Sequence, residues 1–157
     1  MARSGLGALK AAIITFDCPG RTSNTALKTN GSNSLLVNEI GAWKGSYLVD
    51  ASTGSVTSTL TITADSDWTI TVSDLATLAP TKGAASGHGD TVIFLSKKFK
   101  KAAITNTGES NFVVTGYGGS YPHLTVNEIG GYSGTVPLDG PGFVQVLSSG
   151  DWTITPG

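Results

Sequence analysis

The sequence predicts an all-β protein: a tandem duplication of a small antiparallel β-sandwich of the jelly-roll or Ig-like kind, in two units. Three observations carry that prediction. First, Val37-Asn38-Glu39-Ile40-Gly41 recurs letter for letter as Val126-Asn127-Glu128-Ile129-Gly130. Trp43 and Gly45 follow the first copy as Tyr132 and Gly134 follow the second, and Asp50 and Asp139 keep the same offset. Second, Asp67-Trp68-Thr69-Ile70-Thr71 recurs as Asp151-Trp152-Thr153-Ile154-Thr155. Third, the chain holds 21 Thr, 17 Ser and 21 Gly but only 13% charged residues, about half the usual share of roughly 25%. Thr tolerates a pleated, half-buried surface and Gly supplies turns, so hydroxyls rather than charges provide the polar face.

The elements follow in order. Ala11-Ala12-Ile13-Ile14-Thr15-Phe16 reads as a strand, and Asp17-Cys18-Pro19-Gly20-Arg21 as a turn, since Pro fixes φ and Gly permits positive φ. Thr25 to Thr29 is a second strand, Asn30-Gly31 a hairpin signal, Ser34 to Glu39 a third strand and Tyr47-Leu48-Val49 a fourth. From Thr57 to Thr63, Leu60 and Ile62 alternate with Thr59, Thr61 and Thr63. Trp68, Ile70 and Val72 alternate with Thr69 and Thr71. A period of two marks half-buried strands, which puts Trp68 and Trp152 in cores. Asp74 to Gly87 reads as a connection. Thr91 to Leu95 is a strongly apolar strand.

The division expected is a first sandwich over 1–75, a linker over 76–87 and a second sandwich over 88–157. Each unit is near the size at which a lone core is marginal. Lys101-Ala102-Ala103-Ile104 echoes Lys10-Ala11-Ala12-Ile13, and Ser110-Asn111 echoes Ser23-Asn24. Between those echoes the first unit is longer by four residues, placed at the Cys18 turn. On that alignment the strand Thr91–Leu95 falls opposite positions 0–4, so the first unit is expected to lack its opening strand and to leave an open sheet edge. Such an edge is filled from within or by strand addition from a neighbour.

Several residues are candidates for function. Glu39 and Glu128 put one carboxylate in each repeated loop. The competing structural reading makes Ile40 and Ile129 core, Gly41 and Gly130 positive-φ turn residues, and Asn and Glu partners of the turn backbone. Trp43 and Tyr132 stand in Gly-flanked loops, where an exposed aromatic stacks on a sugar ring or a partner surface; the alternative is a ring folded over the end of the sandwich. Lys97, Lys98, Lys100 and Lys101 surround Phe99 and hold four of the ten basic residues. They suit an anionic polymer or guard a sheet edge in a solvated hairpin.

Other chemistries find little footing. Cys18 falls in the other unit from His88 and His123, which gives no nucleophile–base motif. Asp50, Asp65, Asp67 and Asp74 form no calcium loop, and Gly83 to Asp90 lacks the ending of a phosphate loop. No enzyme activity, metal or cofactor is expected. A net charge of −1 gives no global field for nucleic acid. No apolar run reaches the length of a membrane span, and the first ten residues make no convincing signal peptide, Lys10 interrupting the apolar stretch.

The runs Ser110-Asn111-Phe112-Val113-Val114, Leu124 to Thr135 and Asp151-Trp152-Thr153-Ile154, with Gly89-Asp90-Thr91-Val92 ahead of them, resemble a small β-sandwich module of actinobacterial secreted and surface-associated proteins and of their phages. The resemblance covers residues 88–155 well and 10–72 in part. It implies fold and source, and carries over no catalytic or ligand residue. The functional expectation is a non-catalytic structural or attachment protein. It would be a subunit of an extracellular, cell-surface or virion assembly, partnered by itself or another structural protein. The alternative is a carbohydrate-binding module meeting a cell-surface glycan through Trp43 and Tyr132.

Overall fold

The computed structural model describes residues 11–20, 23–52 and 54–157. The chain divides into two compact units, Met1–Leu75 and Ala76–Gly157. Strands dominate both, and among the described residues no helix is long and apolar enough to cross a membrane.

In the first unit β1 (Ala12–Cys18) lies between β4 (Trp43–Val49) and β6 (Thr69–Asp74). A second three-stranded sheet sets β2 (Thr25–Thr29) between β3 (Leu35–Glu39) and β5 (Leu60–Thr63). All these pairs are antiparallel. Alternation decides what each strand buries: Ile14, Phe16 and Cys18 of β1 are buried, as are Leu27 of β2 and Val37 of β3. The β4–β5 connection is fixed by Asp50, a buried residue at φ 57°. Its carboxylate accepts hydrogen bonds from the Thr57 amide (3.0 Å) and hydroxyl (2.8 Å) and from Ser55 Oγ (3.3 Å). Asn30, expected as a plain hairpin residue, also clamps this unit, its Oδ1 accepting from the amides of Ser58 and Thr59.

The second unit is one continuous seven-stranded sheet. Its frame is two strands of 16 residues, β9 (Thr91–Asn106) and β12 (Tyr132–Leu147), paired antiparallel along their length. The first half of β9 and the second half of β12 continue into β10 (Asn111–Gly116) and β11 (His123–Ile129). The other halves continue into β13 (Asp151–Pro156) and β8 (Ala85–His88). Both strands change register around Pro137–Gly142, where Pro cannot donate to the ladder and Gly leaves room for a bend. Gly140 is required there, since any Cβ would collide with the ring of the buried Phe99. The bend lets the two halves face each other, and Leu95, Val114 and Val146 from one half join Ile104, Trp152 and Ile154 from the other in a single core. The result is β-sandwich-like.

Three expectations need correction here. Residues 76–87 are not a linker. A 3-10 turn at Leu75–Thr77 leads into β7 (Pro80–Thr81), which pairs parallel with Phe94–Leu95, and then into β8. Ala85 of β8 is in the core. The Ala/Gly composition that reads as a loop is what lets β8 lie close against β13, because a Cβ on Gly87 would sit 2.5 Å from Trp152 Cζ2.

Trp68 is not core: it is 46% exposed, and Val72 on β6 is 50% exposed. Trp152 is 1% exposed, lies against Gly87 and donates its indole N–H to Gly89 O at 3.0 Å. Alternation identifies residues that share a face; it does not say whether another strand covers that face.

The third correction concerns register. Phe16 sits between Gly45 and Ile70, and Ile104 between Gly134 and Ile154. Leu27 sits between Val37 and Ile62, and Val114 between Val126 and Val146. Phe16 thus corresponds in position to Ile104 and Leu27 to Val114, which makes the first unit one residue longer between these strands, not four. Carried back through the bend, the same offset sets Thr91–Leu95 opposite residues 3–7. The expectation of a missing opening strand therefore lies outside the described residues.

Candidate interaction surfaces

The clearest surface feature is a difference between corresponding positions. Val144, Val146, Trp152 and Ile154 of the second unit are all at most 1% exposed. Their counterparts are Leu60, Ile62 and Ile70, each half-buried, and Trp68, which is exposed. The second unit covers these residues with strands on both sides: β12 pairs with β10 and β9, and β13 pairs with β9 and β8. In the first unit β5 pairs with β2 and β6 with β1, and no other described strand pairs with either. Leu60, Ile62, Trp68, Ile70 and Val72 therefore leave apolar area on two strands whose outer edges meet no described strand. Leu60 and Ile62 belong to one sheet, and Ile70 and Val72, with Trp68 just ahead of them, to the other, so each sheet ends in an apolar edge strand of the kind that takes part in interactions.

The repeated pentapeptides sit at hairpin tips, between β3 and β4 and between β11 and β12. Gly41 (φ 100°) and Gly130 (φ 89°) adopt the positive φ expected of them. Each tip is pinned by a side chain donating to the glycine carbonyl, Thr25 Oγ1 to Gly41 O (2.7 Å) and Asn106 Nδ2 to Gly130 O (2.9 Å). Ile40 and Ile129 are not core, contrary to expectation: they are 85% and 78% exposed. The residue before the positive-φ glycine projects from the turn, away from both sheets. Glu39 and Glu128 beside them are exposed too, so each tip presents one isoleucine flanked by one carboxylate.

Trp43 and Tyr132 are not protruding loop aromatics. Each opens a strand, β4 and β12, and each is half-buried. Trp43 donates its indole N–H to Tyr47 Oη at 2.8 Å, and the Tyr132 ring tilts against Phe112 with centroids 5.8 Å apart. The lysine run is not a hairpin either. Lys97, Lys98, Lys100 and Lys101 are exposed within β9 at its bend, around an inward-turned Phe99. Lys100 Nζ lies 3.0 Å from Asp139 Oδ1, which joins the run to the bend of β12.

Cys18 is fully buried and lies 3.5 Å from Ser66 Oγ. His88 Nδ1 is 2.8 Å from Asp151 Oδ1, with both side chains exposed. Among the described residues no group of three or more His, Cys, Asp and Glu side chains is placed to hold a metal ion.

One cavity escaped the sequence reading. It lies between the β10–β11 loop and the bend of β12, has a volume of about 310 Å³ and is lined by Gly116, Gly118 to His123 and Pro137 to Asp139. The backbone forms much of it. Cβ atoms on Gly118 or Gly142 would strike, respectively, the Asp139 carbonyl and the Gly118 backbone, and one on Gly116 would lie 2.5 Å from Leu138 Cδ1. Thr125 Oγ1 donates to the Pro137 carbonyl, and the Tyr117 amide to Phe143 O at 2.8 Å, so loop and bend are tied together. Tyr121 at the rim is 83% exposed. A signal was present in the sequence: Tyr117-Gly118-Gly119-Ser120-Tyr121-Pro122-His123 stands where the first unit has Asn30-Gly31-Ser32-Asn33-Ser34, without any aromatic.

The chain matches no protein-family model and no curated protein.

Proposed function

We propose that the chain is a tandem duplication of one sandwich and serves as a non-catalytic structural or attachment subunit of an extracellular or virion assembly. In this reading the first unit gains its covering strands from a neighbouring subunit. The observation that carries it is the pair of contrasting cores: residues in corresponding registers are sealed at Val144, Val146, Trp152 and Ile154 and left open at Leu60, Ile62, Trp68 and Ile70. A sheet edge that keeps an apolar face and meets no other described strand suits strand addition, in which main-chain hydrogen bonds give affinity and alternate side chains give register. The occupant's chemistry is indicated by the second unit, where Ala85–His88 and Thr91–Leu95 fill the corresponding places with small and apolar side chains. The exposed Ile40 and Ile129 tips supply further contact points, and a surface low in charge suits close packing between subunits.

Light scattering across a range of protein concentrations tests the reading. A discrete, concentration-dependent oligomer is expected, and a synthetic peptide spanning residues 85–96 should compete with it. A strict monomer that ignores the peptide would refute the proposal.

A further inference from the structure

We propose that the cavity between the β10–β11 loop and the bend of β12 is a binding subsite for one neutral sugar ring. The inference is independent of assembly, and it moves carbohydrate recognition from Trp43 and Tyr132 to a different set of residues.

The cavity has the size and the mixed lining that a pyranose needs. A pyranose offers C–H faces and a rim of hydroxyls, each both donor and acceptor. At about 310 Å³ the space is at the lower end of small-molecule sites, roughly 300–1,000 Å³, which suits one ring. Apolar surface comes from Pro122 and Pro137, with the buried Leu138 behind them, and Tyr121 brings a flat ring with a polar edge; such rings favour ligands that are apolar on one side and wet on the other. Polar partners converge from both walls. Asp139 has Oδ1 committed to Lys100 at 3.0 Å, while Oδ2 faces the loop, 3.4 Å from where a Cβ on Gly119 would stand. A carboxylate anchored through one oxygen and accepting from hydroxyls through the other makes strong, directional bonds. His123 and Ser120 line the same space.

The chemistry also argues against other occupants. A wholly apolar ligand would displace water from Asp139 Oδ2 and His123 without replacing its hydrogen bonds, which costs affinity. A phosphate or other anion would meet the Asp139 carboxylate, and Lys100 is already engaged by it. The Thr125–Pro137 and Tyr117–Phe143 hydrogen bonds tie the two walls together before a ligand arrives, which lowers the entropy cost of binding.

The test is a titration of the isotopically labelled full chain with methyl glycosides of glucose, galactose, mannose and N-acetylglucosamine, followed by amide NMR shifts. At least one glycoside should shift the amides of Gly118, Gly119, Tyr121, Leu138 and Asp139, with an affinity around 1 mM, about −4 kcal/mol. Tyr121→Ala and Asp139→Asn should each weaken it tenfold or more and leave the remaining spectrum unchanged. Tyr121 is exposed enough that its truncation leaves the fold intact, and Asp139→Asn keeps the shape of the wall. The proposal is overturned if no glycoside shifts these amides, if the shifts lie elsewhere, or if neither variant reduces them. It is equally overturned if a proline-rich peptide shifts the same amides and the glycosides do not.

Discussion

Replacing Trp68 and Trp152 separately by alanine tests the central contrast between the two units. A tryptophan side chain presents up to about 250 Å², so burial at about 25 cal/mol per Å² contributes up to roughly 6 kcal/mol. A compact denatured chain already hides about 10–40% of such area, which brings the expectation for Trp152→Ala to about 4–5 kcal/mol, within the usual range for buried aromatic truncations. Trp152 also gives up its hydrogen bond to Gly89 O. Trp68 is 46% exposed, so only about half its area is at stake and the same reasoning gives about 2–3 kcal/mol. The exposed remainder, about 115 Å², is available to a partner and is worth at most about 3 kcal/mol, or roughly a hundredfold in association. Urea unfolding monitored by fluorescence and circular dichroism measures the first pair of values, and light scattering the third. Equal stability costs at the two sites would refute the inference that corresponding positions differ in cover. A Trp68→Ala protein that associates as tightly as the parent would remove this face from the interface.

Two further predictions concern single buried groups. Asp50→Ala should cost about 1–3 kcal/mol, because it deletes a buried acceptor serving Ser55 and Thr57 and leaves the Thr57 amide short of a partner; denaturant titration reads the loss, and a change within error would show the turn to be held by other contacts. Burial raises the pKa of Tyr117 above its ordinary value of 10.0. The folded state therefore keeps the proton longer than the unfolded chain, so this contribution is complete below about pH 10 and is lost as pH rises toward the folded value. Tyr117→Phe should flatten the alkaline fall in stability, measured by unfolding at pH 8 and pH 11, and an unchanged slope would contradict it.

Strand positions and most strand faces were legible in the sequence because period-two alternation is a local property. Phe16, Leu27, Val114 and Ile154 are all buried as their spacing demands. What is not local was missed. Whether a face is covered depends on strands distant in sequence, which is why Trp68 and Trp152, in identical pentapeptides, have opposite environments. Ile40 and Ile129 read as core because isoleucine usually is, yet the glycine that follows each places it on a projecting tip. β8 was hidden by its composition: the small residues that suggest a linker are those that let a strand approach a tryptophan closely. The cavity eluded the sequence because its two walls lie about twenty residues apart, and the glycines that shape it carry no side-chain signal.

The two copies of Asp-Trp-Thr-Ile-Thr form an internal control. The same five residues are set in β13 and at the start of β6, with the same outward threonines: Thr69, Thr71, Thr153 and Thr155 are all exposed. Only the inward side differs, and there the difference is large: Trp152 and Ile154 are sealed, while Trp68 is open and Ile70 half-covered. Local propensity is thus identical at both sites and does not account for the contrast; the covering strand does. An apolar edge that no described strand covers is a liability in a free chain, because it templates unintended pairing. Its charged-residue defences are thin, since Asp65, Asp67 and Asp74 are the only charged residues between Val56 and Leu78. An edge so lightly guarded is consistent with the proposed assembly, in which a neighbour covers it, and a charge placed on it tests that proposal. Thr63→Lys alters an exposed residue of β5 that stands opposite the uncharged Ala26 and should leave the stability of the first unit within about 0.5 kcal/mol, while a lysine on a recruiting edge opposes strand addition. Loss of the oligomer with unchanged unfolding would locate the interface on β5; an unaltered oligomer would exclude that edge.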